Sequence, residues 1–212
     1  MSLETEEWVT NHLLTLYLCK TGRKHNLVHA TRLQKAVFLS QLEMWNDKCQ
    51  GFTFDFFKYH YGPFSSELRS SLQFLVKSRY LDSSEKGFKL TEEGSNLLDK
   101  FIAIFTRNRH QTNHIKVVTK NIMTDDFERM LEEVYQMKNP LDPNLTIEET
   151  PHEEALLIRS KMSHGKRTFK FTDDELEDLS TLLDPEFIED MSIAQQSILE
   201  GKLTEWKPGN PI

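Results

Sequence analysis

The chain has 212 residues, 26 Lys plus Arg against 33 Asp plus Glu, and two cysteines. That length suits one large domain or a core with an appendage, and cysteines as far apart as Cys19 and Cys49 predict neither a disulfide scaffold nor a zinc site. Low mean hydropathy and no long uncharged apolar stretch predict neither a signal peptide nor a membrane span, so the expected location is the cytoplasm.

Residues 5–20 place Trp8, Leu13, Leu16, Tyr17 and Leu18 at helical spacing, and Gly22 ends that first helix. From Thr31, Leu33, Val37, Phe38, Leu42 and Trp45 recur at three and four, with Gln34, Lys35 and Gln41 expected on the other faces. The aromatic run Phe52–Tyr59 predicts a strand, and Tyr61-Gly62-Pro63 a break before a helix from Ser65 to Ser78 with Leu68, Leu72, Leu75 and Val76 inward. Tyr80-Leu81 and Phe88-Lys89-Leu90 around the polar turn Asp82–Gly87 predict a two-stranded ribbon. Thr91 caps the next helix, whose expected buried face is Leu97, Leu98, Phe101, Ile102 and Phe105. The order of helix, ribbon and helix is that of a winged helix.

Further on, Thr124 is the expected cap of a helix carrying Phe127, Leu131, Val134 and Tyr135, and Asn139–Pro151 reads as a connector. Pro151 is expected to open a helix running through Ala155, Leu156, Leu157 and Ile158 to Met162. A capping box at Thr172–Glu175 starts another, and Asp184-Pro185 starts the last, ended by Gly201. The fold class is therefore mainly α with a small β component: a helical domain containing a winged-helix-like unit, plus C-terminal helices.

Charge divides the chain. Residues 1–122 hold 17 Lys plus Arg and 12 Asp plus Glu, or +5, and residues 123–212 hold 9 and 21, or -12, which together give -7. This suggests a basic core over residues 1–122 and an acidic helical part over residues 123–212, packed on the core or extending from it. No acid separates Asp99 from Asp125, whereas Lys100, Arg107, Arg109, Lys116 and Lys120 fall there. They form either a solvated helix face or a surface for phosphate or an acidic segment, with the chain's own tail one candidate segment.

Signs of catalysis are sparse. His25 with His29 and His110 with His114 stand four apart, but neither pair has a third ligand nearby. No phosphate-binding loop, dinucleotide fingerprint or nucleophile elbow is present, and the acidic runs fit caps and solvated faces. The expectation is a protein that is not an enzyme and needs no cofactor or metal.

Three segments resemble the Panacea (SocA-like) antitoxin domain family: Leu33-Gln34-Lys35-Ala36-Val37-Phe38-Leu39, Tyr59-His60-Tyr61-Gly62-Pro63-Phe64-Ser65 and Met162-Ser163-His164. In that family a Trp follows the late His; here Phe169 is the nearest aromatic. The resemblance implies a mainly helical domain that binds and neutralises or delivers a partner toxin. Gln34, Lys35, His60, Tyr61, Gly62, Pro63, Ser163 and His164 become partner-binding candidates on that basis. Lys166 and Arg167 join them as a basic loop in an acidic half, and Trp206 as the end of an amphipathic tail. The alternative is a winged-helix DNA-binding regulator, with Arg69 and Lys77 on its recognition helix and Lys100, Arg107, Arg109, Lys116 and Lys120 as further phosphate contacts. A toxin-like protein partner is expected, DNA is the alternative ligand, and no membrane is involved.

Overall fold

The computed structural model describes residues 3–22, 29–84, 87–124, 126–161 and 167–201. Its helices are α1 (Leu3–Gly22), α2 (Ala30–Asn46), α3 (Ser66–Lys77), α4 (Glu92–Lys100), α5 (Ile102–Arg107), α6 (Arg109–Thr124), α7 (Phe127–Gln136), α8 (Asp173–Leu182) and α9 (Pro185–Leu199). Its strands are β1 (Phe56–Tyr59), β2 (Gly62–Phe64), β3 (Leu81–Ser84), β4 (Gly87–Leu90) and β5 (Ala155–Leu157). The protein is mainly helical with a small antiparallel component, as the sequence predicts. Among the described residues, no helix is long and apolar enough to cross a membrane.

The centre is α2, which packs against α6 and β2. Gln34, Lys35 and Gln41 are buried along with Leu33, Val37 and Phe38, contrary to the expectation that they lie on exposed faces. A helix buried along most of its middle must give its polar side chains there partners, and α2 does so by clasping extended backbone. Gln41 accepts from the Phe54 amide (3.0 Å) and donates to the Phe54 carbonyl (2.7 Å). The same device recurs elsewhere: Asn11 of α1 holds Thr53, and Asn108 holds the amide and carbonyl of Lys170. His12 of α1 is also buried, its Nδ1 donating to the Trp8 carbonyl (2.7 Å) and its ring lying against Trp8 and Phe74.

Strand order in the sheet is β2-β1-β5, all antiparallel. The strand expected over residues 52–59 is ordered as a strand only from Phe56. Phe52, Thr53 and Phe54 are instead buried irregular backbone, held by the amide clasps. Two further expectations need correction. Gly62-Pro63-Phe64 is an edge strand rather than a simple break, and Ala155–Leu157 is a strand rather than part of a helix from Pro151. An apolar run so short fits either period, and here the open edge of β1 decides: Lys58 and Glu154 continue the pairing beyond β5, and Leu156 and Leu157 are buried.

Ser65 caps α3 and Thr91 caps α4, giving the expected order of helix, ribbon and helix. Gly94 makes that packing close, since a Cβ there would lie 2.2 Å from the Tyr80 carbonyl oxygen. Breaks at Phe101 and Asn108 rotate the following turns, so Ile102 is exposed rather than inward. Thr124 closes α6, and Asp126 occupies the position before α7, which corrects the expected cap. The capping box of α8 is formed, and Asp184 caps α9 with Pro185 in its first turn. Leu179 and Leu183 join the buried cluster through the contact of α8 with α1.

Candidate functional site

The first two motifs meet at one place. Gln34 donates to the Ser65 carbonyl (3.0 Å) and accepts from its amide (2.9 Å), while Lys35 Nζ donates to the Pro63 carbonyl (2.8 Å). Thus α2 occupies the outer edge of β2, and Pro63 has no N–H to offer there. The hairpin turns on His60 and Tyr61, between the paired residues Tyr59 and Gly62. Gly62 has φ +81, so glycine is favoured there by backbone conformation, although a Cβ would meet the Tyr135 ring and Lys35 Cε only at ordinary contact distances of 3.5 and 3.6 Å. From α7, Tyr135 donates its hydroxyl to the His60 carbonyl (2.9 Å), fixing the turn from the other side.

Beside this turn lies a cleft of about 610 Å³, walled by Gln34 and Lys35 of α2, the hairpin from Tyr59 to Phe64, Arg69, Leu72 and Gln73 of α3, and Phe88 of β4. Tyr61 stands at its mouth, 65% exposed. Lys35 is only 2% exposed. Burial, assisted by the like charge of Lys58, pushes its pKa from the usual lysine range down to about 7. Among the described residues no carboxylate pairs with it. Lys58 itself lies over the Tyr135 ring, 4.7 Å from its centroid, and His60 lies against His152 at 4.7 Å.

The remaining candidates are placed elsewhere. Arg167 lies near Asp47 (3.6 Å), twelve residues beyond Lys35, or about 18 Å along the α2 axis. Ser163, His164, Lys166 and Trp206 lie outside the described residues, as does His25. Of the nucleic-acid candidates, Arg69 is on the cleft, whereas Lys77 pairs with Glu189 of α9 at 3.2 Å. Lys100 pairs with Asp178 (3.1 Å), and Arg107 makes two hydrogen bonds to the Glu175 carboxylate. Acidic side chains of α8 thus meet the basic stretch at these two residues, while Arg109 and Lys116 are exposed, as is Lys120. His114 pairs with Asp47 (3.2 Å). Among the described residues, no three His, Cys, Asp or Glu side chains are grouped to hold a metal ion.

Sequence reasoning missed the cleft as an object. It selected two walls from the motifs, but Leu72 and Phe88 read only as core or strand residues, and Gln73 carried no signal at all. His152 was equally silent. The chain matches no family model, no curated protein and no solved structure.

Proposed function

We propose that the protein is a non-enzymatic protein-binding module of the Panacea (SocA-like) antitoxin type, and that a toxin-like partner docks at the cleft beside the hairpin turn. The convergence of the Gln34-Lys35 and Tyr61-Gly62-Pro63 motifs on one cleft carries this reading. Gln34, Lys35 and Gly62 build the wall, with the Pro63 carbonyl holding Lys35 in place, and Tyr61, His60 and Arg69 stand where a partner would touch. An exposed tyrosine and arginine at the edge of a concave apolar surface are the residue types that anchor protein interfaces. Exposed apolar side chains of α9, among them Met191, Ile193 and Ile198, offer the partner a second contact.

Co-expression with the toxin-like product of a neighbouring reading frame tests the proposal. Wild-type protein is expected to restore growth, Tyr61→Ala with Arg69→Glu to lose that protection, and Lys116→Glu to keep it. Full protection by the Tyr61 and Arg69 double variant would remove the cleft from the contact.

A second reading, a winged-helix DNA-binding regulator, is favoured by the observed order of α3, β3, β4 and α4. It calls for duplex binding that weakens steeply with salt, and the engagement of Lys77, Lys100 and Arg107 by carboxylates counts against it.

A further inference from the structure

The cleft differs from the rest of the molecule in charge. The chain has 33 Asp and Glu residues, yet none of the described residues lining the cleft is acidic, and Lys35, His60 and Arg69 are among them. Arg69 has no carboxylate partner among the described residues. The Lys35 amine is buried, with a neutral carbonyl as its hydrogen-bond acceptor, so an entering anion would supply the counter-charge that the fold does not. Tyr59, Phe64, Leu72 and Phe88 give the same space an apolar and aromatic lining suited to one bulky side chain.

The mode of entry is also constrained. An extended peptide could add to β2 only through backbone groups on its outer edge, but the Pro63 carbonyl is held by Lys35 and both Ser65 backbone groups by Gln34. Strand addition at this edge is thus blocked, whereas a chain end, which presents a terminal carboxylate and its last side chain together, matches both the cations and the apolar lining of the cleft.

We propose that the cleft captures the free C-terminal carboxylate of a partner chain ending in an apolar residue, the carboxylate lying toward Lys35 and Arg69 and the side chain among the aromatic walls. This rests on the partner-binding reading above and names the part of the partner that is recognised. Binding then depends on pH, because Lys35 is an ammonium below about pH 7 and increasingly a neutral amine above it. Lys58 from β1 acts on it directly and Tyr135 from α7 shares its place beside Gly62, while His60 and Tyr61 from the turn and Arg69 from α3 line the same cleft, and Glu148 acts on Lys58.

The test titrates the full chain with N-acetylphenylalanine, its C-terminal amide and 3-phenylpropionate, following backbone amide resonances by NMR. The free acid is expected to bind roughly tenfold or more tightly than the amide, as a charge-assisted bond in place of a neutral one implies. It should also bind more tightly than 3-phenylpropionate, which lacks the peptide group. Affinity should fall from pH 6 to pH 9, and Arg69→Gln, at an exposed position, should weaken it several-fold. Lys35→Met, with its folding checked by thermal melting, should lose both affinity and pH dependence, whereas His60→Gln should keep a decline above pH 7. Equal binding of acid and amide, or affinity indifferent to pH and to Arg69→Gln, would overturn the proposal. So would 3-phenylpropionate binding as tightly as N-acetylphenylalanine, which would assign the cleft to free organic acids. If N-acetylphenylalanine does not bind but the Tyr61 and Arg69 double variant still loses protection from the toxin, the partner-binding reading stands and the carboxylate inference falls.

Discussion

Lys100 and Arg107 on one side of the protein, and Lys35 and Arg69 on another, are cations in opposite company. On the first side α8 supplies Asp178 and Glu175, and the charges are spent holding the acidic half of the chain against the basic half. At the cleft no described residue supplies such a carboxylate, and one of the cations is withdrawn from water. Exposed pairs of the first kind contribute little to stability, whereas a buried ammonium without a counter-ion opposes folding unless it releases its proton. The difference teaches that clustering of basic residues in sequence is a poor guide to a binding surface here: the densest run is partly neutralised within the molecule, and the unneutralised cations come from separate helices.

The sharpest way to break this comparison is to titrate Lys35 through stability. Its pKa is about 7 in the folded protein against 10.5 for an ordinary lysine, so the unfolded chain binds the extra proton between those values. Stability attributable to Lys35 is therefore lowest below pH 7 and rises as pH climbs toward 10.5, by on the order of 5 kcal/mol. Lys35→Met removes that rise, so the difference between variant and wild type in urea denaturation should move against the variant as pH increases. A difference that stays constant from pH 6 to pH 10 would mean that the amine is solvated and that the two regions do not differ in kind.

Smaller by a step is the loss expected for Gln34→Leu. It leaves the buried Ser65 amide without a partner, while the carbonyl keeps the Arg69 amide, and should cost about 2 kcal/mol, read as a lower urea midpoint. A cost below about 1 kcal/mol would show that the cleft wall does not depend on this clasp. His12 gives an effect of comparable size in acid. Burial lowers its pKa from 6.5 to about 4, so stability present above pH 6.5 is lost as pH falls toward 4, by on the order of 3 kcal/mol. His12→Asn should flatten that part of the acid profile without altering the alkaline rise from Lys35.

These positions also show how far the sequence could be read. The helices with strong caps, at Ser65, Thr91, Thr172 and Asp184, were legible because a side-chain oxygen ahead of an apolar period is a local signal. Ala155–Leu157 was not, because whether a short apolar run becomes strand or helix depends on a partner strand about a hundred residues away. The fate of Gln34, Lys35 and Gln41 was hidden for a similar reason. Three polar residues on an amphipathic helix normally face water, and only the enclosure of α2 by distant segments turns them inward. The cleft was half legible: resemblance pointed to the turn and α2, but α3 and β4 complete it through tertiary packing alone.

The smallest effect concerns the neutralised side. Glu175 accepts from Thr172 and from Arg107, and these contacts hold its carboxyl below the ordinary glutamate range, the Arg107 bond being the largest cause. The stability it supplies is present above the unfolded value and is lost as pH falls through the lower, folded one. Glu175→Gln can retain the capping box while removing the charge, so it isolates the ion pair from the cap. Because Arg107 is partly exposed, the expected cost is at most about 0.5 kcal/mol, shrinking further in 1 M salt. A loss several times larger and insensitive to salt would show that α8 is fastened by a desolvated charge pair. The two sets of cations would then differ in partner alone and no longer in exposure to water.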